Sequence, residues 1–295
     1  MRATGERDMR RAPIVGATLM ATLTFVPLAS GQERRDATER EPPTPAAETS
    51  DTELANQLAN PIANLLSIPL PNNFDFGLGE GDGFRYQLNI QPVIPIPLGG
   101  RWRLVARVVF PILIYQENVV TPQDPVGESF AGAADATVSL FLVPPHQVAG
   151  LTIGAGPAIV PPTSTDDRLA PGHTALGPTA VAIWQSHGVT LGLLANHVWA
   201  ITDEDDDYSQ TFLQPQLAYV LPTNTTLTIQ SETIYQWYSG VWTVPLIGGV
   251  GQLVRVGTVP LSIGLHGKWW VERPDSAPDW GLRAFVTALV PLGPD

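Results

Sequence analysis

Four basic residues stand nearly alone in apolar surroundings: Arg103 and Arg107 in WRLVARVVFPILIY, Lys268 in LHGKWWV and Arg283 in WGLRAFV. Each shares its parity along the chain with nearby polar side chains. Gln87, Asn89 and Gln91 alternate in one segment, Gln214 and Gln216 in another, Gln230 and Glu232 in a third, and His266 precedes Lys268 by two. Guanidinium, ammonium, carboxylate and amide groups on one surface make a polar lining with a transverse field, chemistry that replaces part of a solute's hydration. The same residues also suit a structural network that fills an interior and leaves no path. Both readings stay open at this point.

Nucleophilic and metal chemistry fit less well. His197 lies on an apolar face beside Asn196, while Ser186, Ser209 and Ser231 lie elsewhere and no G-x-S-x-G is present. A general base must reach its nucleophile at about 2.6–3.2 Å, and no pattern here promises that. The sequence therefore nominates no catalytic residue, and an outer-membrane lipid hydrolase is the least favoured of three classes. His146, His173, His187 and His266 are scattered without an i, i+4 pair. The absence of Cys excludes disulfides and thiolate metal sites. Asp203 to Asp207 is a run of five acids with hard oxygen ligands, but it lacks the Gly turn and spaced Glu of a calcium loop. A solvated loop is expected there, with no metal and no cofactor.

The elements that must position the lining are strands. From Gly83 to Gln116, Leu88, Ile90, Pro92, Ile94, Ile96 and Leu98 fall on one face, with Arg85, Gln87, Asn89 and Gln91 opposite. After Gly99-Gly100, Trp102, Leu104, Ala106, Val108, Phe110, Ile112 and Ile114 form an apolar face, with Arg101, Arg103 and Arg107 opposite. A period of two separates the faces of a sheet. Runs of this length exceed the ~5–6 residues of soluble strands and match the ~9–11 of a tilted membrane strand. Strands are expected near 69–78, 84–98, 101–116, 131–144, 148–162, 175–186, 188–202, 208–222, 225–238, 241–254, 258–271 and 279–291. Tight and longer connections alternate between them, as short periplasmic turns and external loops do. The reading is an all-β fold: a closed antiparallel transmembrane barrel of about twelve strands.

Trp and Tyr favour membrane interfaces. Trp102 and Trp184 fall near the turn ends of the expected strands. Tyr115, Trp199, Trp237, Trp242, Trp269 and Trp280 fall near the loop ends, giving two aromatic girdles. Two features run against the pattern. Pro92, Pro95, Pro111, Pro157 and Pro215 fall inside strands although each lacks a ladder donor. The C-terminus also lacks the aromatic residue common in outer-membrane proteins.

The remaining chain divides as follows. Residues 1–31 read as a secretory signal: Arg10-Arg11, an apolar run from Ala12 to Leu28, and small residues before Gln32. Residues 32–52 are charged and Pro-rich, a linker. Residues 53–67 carry Leu54, Leu58, Ile62, Leu65 and Leu66 at helical spacing, interrupted by Pro61. This short periplasmic helix is expected to rest on the barrel rim rather than plug its mouth. Residues 68–295 form the barrel. Removing 1–31 takes away four Arg, one Glu and one Asp, moving the net charge from −12 to −14. So acidic a chain has no electrostatic footprint for nucleic acid. Its expected partners are outer-membrane lipids, lipopolysaccharide and a small-molecule solute.

The chain resembles a known family. NPIANLLSIPLPNNFDFG (Asn60 to Gly77) and YQLNIQPVIP (Tyr86 to Pro95) carry the likeness, with TSTDD (Thr163 to Asp167), GPTAVA (Gly177 to Ala182) and NHVW (Asn196 to Trp199). QTFLQP (Gln210 to Pro215), SETIY (Ser231 to Tyr235), WTVP (Trp242 to Pro245) and WGLR (Trp280 to Arg283) extend it. These are motifs of bacterial outer-membrane proteins misleadingly named "neuromedin U", grouped with channels of the MetA pathway of phenol degradation. The resemblance implies an outer-membrane barrel passing small molecules, and it carries over no catalytic or ligand residues. The expectation is a passive channel with a polar lumen, the alternative a closed structural or surface-interaction barrel without flux.

Overall fold

A computed structural model describes residues 50–62, 64–121, 124–145, 149–170, 172–202 and 208–291. The expected signal, most of the linker, the Asp203–Asp207 run and His146 lie outside the described residues. Fifteen strand segments follow one helix. They are β1 (Leu65–Leu78), β2 (Gly83–Ile90), β3 (Val93–Gly99), β4 (Trp102–Glu117), β5 (Phe130–Gly132), β6 (Thr137–Val143), β7 (Leu151–Val160) and β8 (Ala175–Ser186). Then come β9 (Val189–Ala200), β10 (Ser209–Val220), β11 (Thr225–Ser231), β12 (Thr233–Gln236), β13 (Val241–Val256), β14 (Val259–Glu272) and β15 (Trp280–Pro291). Three pairs are single strands interrupted once: β2 with β3, β5 with β6, and β11 with β12. The sheet is thus a closed antiparallel barrel of twelve strands, sealed where β1 pairs with β15 from Leu65↔Pro291 to Phe76↔Trp280. Among the described residues, no helix is long and apolar enough to cross a membrane. Closure leaves no open edge and satisfies the backbone within the sheet, the condition for a strand structure to span lipid.

The outer surface is apolar. Leu191, Leu193, Leu217, Ile229, Leu246, Ile263 and Leu265 are each 43–53% exposed, a contiguous band that suits lipid rather than water.

The prolines have a structural account. Register places Pro215 opposite Ser231 and Pro245 opposite Glu232, so prolines flank the interruption between β11 and β12 on both sides. Gln91-Pro92 separates β2 from β3. Pro157 pairs with Pro178, and neither it nor the preceding glycine has a register partner on the outer neighbour. A Cβ on Gly156 would collide with the Leu140 carbonyl oxygen, and one on Gly177 with that of His197. Each Gly-Pro step thus lets a neighbouring backbone close in where a donor is missing.

One correction concerns β4. Leu88 pairs with Leu113 but Asn89 with Pro111, a bulge that inserts one residue and reverses the alternation. Val108 stays on the outer face, whereas Ile114 is only 7% exposed and points inward, not outward with Val108 as the unbroken alternation predicts.

A second correction concerns the N-terminal segment. Helix α1 covers Asp51–Leu58, not 53–67. Ser50 caps it by accepting from the Glu53 amide, the Ser-x-x-Glu start signal, and the helix stops short of Pro61. It does not rest on the rim. Leu54 and Ala55 are buried against Leu65, Val220, Leu253 and Leu289, inward residues of four strands. Ile62 is fully buried among Val93, Val105, Phe141, Val143, Val181, Ile183 and Leu194. The segment from Ser50 to Ile62 fills the turn-side mouth.

Candidate functional site

The loop-side half of the lumen is built by a row of cross-strand partners. Asn73 pairs in register with Arg283 and Gln87, and Asp75 with Gly281 and Arg85; Gly281 pairs in turn with Lys268. Arg283 donates through Nη1 and Nη2 to Glu232 Oε1 and Oε2, both at 2.7 Å, and through Nε to Asn73 Oδ1 at 2.7 Å. Lys268 Nζ donates to Asp75 Oδ1 at 2.7 Å and to Asn73 Oδ1 at 3.3 Å. Arg85 Nη2 donates to Asp75 Oδ2 at 3.1 Å. Gly281 permits this row. It lies between Asp75 and Lys268, and a Cβ there would come within 2.5 Å of the Asp75 oxygen that Lys268 binds. Charge-assisted, bidentate bonds of this kind fix geometry as well as charge.

These groups surround a cavity of about 490 Å³. Gln87, Asn89, Gln91, Arg107, Glu232, Lys268 and Arg283 line it, with Asn73, Asp75 and Arg85. A second cavity of about 210 Å³ is lined by Gln91, Gln214, Gln216, Gln230, Glu232, His266 and Arg283, with Leu58 and Ala59 from the plug. A third of about 150 Å³ meets Gln91, Arg107 and the plug residues Gln57, Leu58 and Asn60. Gln91 borders all three. Arg103 lies apart, partly exposed toward the turn end of β4. Inward glycines make the space: a Cβ on Gly264 would strike the Phe285 ring, which lies 4.9 Å from that of His266.

Three site residues escaped the sequence reading. Asn73 and Asp75 alternate with Phe74 and Phe76 in NNFDFG, and that alternation was the available signal. Trp270 was hidden by its neighbour: Trp269 points out and is 59% exposed, while Trp270 is 8% exposed with Lys268 Nζ 4.6 Å from its ring centroid. The remaining candidate aromatics divide as follows. Trp102, Trp184, Trp199, Trp237, Trp242 and Trp280 are 37–56% exposed. Tyr115 is partly buried and donates its hydroxyl to Glu117. His197 bonds Thr211 through Nδ1 at 2.8 Å, not a serine. The Ser186 hydroxyl lies 2.7 Å from Nδ1 of the adjacent His187, at an exposed turn.

No family profile matches the chain, and no curated protein sequence does. Among solved structures, the COG4313 outer membrane channel from Pseudomonas putida F1 is similar at a TM-score of 0.58 and 14% identity. That match covers 77% of this chain and 95% of that one. The NanC porin matches at 0.46 and 9%, covering 76% and 100% of the two chains. Outer membrane phospholipase A from Escherichia coli matches at 0.41 and 13%, covering 76% and 89%. The first likeness establishes the fold, that of outer-membrane β-barrels.

Proposed function

We propose that this protein is an outer-membrane channel that passes small solutes through the polar half of its lumen. The observation that carries the reading is the chain of three cavities that meet at Gln91, inside a closed barrel with an apolar exterior. The sequence resemblance to the "neuromedin U"-named channels points the same way. The mechanism is passive. Amides, Glu232 and the basic side chains replace water around a solute, and the aromatic residues anchor the barrel at two interfaces, the loop-side one facing lipopolysaccharide. The polar cluster cannot face lipid, where a base near the midplane costs about 2–4 kcal/mol. An interior lining is its stable place.

The packed plug favours a second reading, a closed barrel without flux. Planar-bilayer recording with the full mature chain separates the two. We expect discrete conductance, and the double variant Arg107→Gln/Lys268→Gln should insert normally and shift the reversal potential toward cations. Correctly folded, inserted protein that never conducts would leave only the closed barrel. A double variant with unchanged reversal potential would remove these residues from the path.

A further inference from the structure

The charges around the large cavity do not all have partners. Four cations and two carboxylates line it. Asp75 is taken by Lys268 and Arg85, and both oxygens of Glu232 by Arg283. Arg107 is the cation left over. Among the described residues its side chain makes no hydrogen bond or ion pair, and the one acid that acts on it from a distance, Glu232, is already engaged. An arginine fork presents five donors in a plane suited to two oxygens of one carboxylate, and here it is open to the cavity. Arg107 borders two cavities at their junction with Gln91. In the adjoining cavity, His266 is 8% exposed and its Nδ1 is buried without a partner.

The wall near Arg107 is not polar throughout. Val109, Val160, Val198, Phe212 and Ile234 line the same cavity. A strongly hydrated inorganic ion gains nothing from that surface, whereas an organic tail is drawn from water by it. We propose that Arg107 is the recognition point for a small organic monocarboxylate, which places its carboxylate on the guanidinium fork and its short apolar tail against the valine and phenylalanine wall. This deepens the channel reading by naming its solute class, and it rests on that reading only for how the solute arrives.

Calorimetric titration of the full mature chain, folded in amphipol without carboxylate buffers, tests it. Hexanoate should bind saturably at one site, and hexylammonium should not. Arg107→Gln should weaken hexanoate binding at least tenfold, with Arg107→Lys intermediate because it keeps the charge and loses the fork. Val109→Ser keeps Arg107 and should weaken hexanoate while leaving acetate unchanged, a control should the glutamine variant fold poorly. No saturable binding, equal binding by Arg107→Gln, hexylammonium binding as tightly as hexanoate, or full competition by chloride would each overturn the proposal. Bilayer recording on the same samples keeps the two ideas apart. Conductance without hexanoate binding sinks this inference and leaves the channel; binding without conductance does the reverse.

Discussion

The two halves of the lumen obey different rules. On the turn side, the plug and the inward residues of several strands pack as a soluble core does, with Ile62, Phe141 and Val105 fully buried. On the loop side, Asn73, Asp75, Arg85, Gln87, Lys268 and Arg283 on β1, β2, β14 and β15 face about 490 Å³ of open space, with a smaller apolar cluster of Ala158, Val160, Ala175 and Val198 on β7, β8 and β9. Both halves share one backbone and one exterior. The difference teaches that a barrel interior is not polar by default. It is polar where charged groups can satisfy each other across neighbouring strands, and it closes with apolar packing where they cannot. Stability is expected to come mainly from the first half and selectivity from the second.

The strongest way to break that division is to excavate the apolar half. Phe141→Ala removes the largest fully buried side chain and should cost about 3–5 kcal/mol. Equilibrium unfolding in denaturant measures it, and reversal potential should stay unchanged. A loss of ion preference equal to that of the Arg107/Lys268 pair would show that the halves are not separate.

The halves were unequally legible. The polar half was readable because Gln, Asn and Arg alternate with apolar residues, so parity alone gathers Gln87, Gln91, Arg107 and Arg283. The apolar half was silent. In Leu140-Phe141-Leu142-Val143, residues facing in and out are equally apolar, and the period of two vanishes. The plug was misplaced because an amphipathic helix needs a partner surface, and the one it uses, Leu65, Val220, Leu253 and Leu289 on four separate strands, comes together only in the closed barrel. Ile114 was lost because a bulge leaves no mark except Pro111.

That bulge gives the next test. Val108→Arg faces lipid below it and should cost about 2–4 kcal/mol if near the midplane. Ile114→Arg, above the bulge, points into the lumen beside polar neighbours and should cost clearly less. Matching costs in lipid-vesicle unfolding would mean that the alternation runs unbroken and that the loop-side half is wrongly phased.

A smaller effect sharpens what holds the polar half. Gly281→Ala pushes a methyl group against Asp75 Oδ1, where Lys268 is bound. Such overpacking costs about 1–3 kcal/mol. Ion preference should change with it, because the Asp75–Lys268 pair is pried apart. If stability falls while selectivity is untouched, the row of partners is scaffolding and not lining.

The smallest expected effect separates the two ends by pH. The loop-side rim carries the Arg168–Asp166 pair, whereas the plug around Ile62 is held by apolar contact, the Asp51–Arg255 pair lying at the other end of the plug. In the loop after β7, Arg168 donates from Nε to Asp166 Oδ1 at 2.9 Å and from Nη2 to Oδ2 at 2.6 Å, with its guanidinium 4.1 Å from the Phe130 ring centroid. The Arg168 hydrogen bonds hold the Asp166 carboxyl down to about 2, below its ordinary 3.8. A depressed acid contributes fully above its unfolded value and loses that contribution as pH falls through the folded one. The window is therefore from about 3.8 down to about 2, and the gain is small because the pair is exposed to water. Side-chain NMR should find the Asp166 titration near 2 and returned toward 3.8 in Arg168→Gln. Over the same window, amide exchange in the plug around Ile62 should stay constant while the loop at 161–170 loosens. If both ends loosen together, acid acts on the whole barrel and the two halves are one cooperative unit.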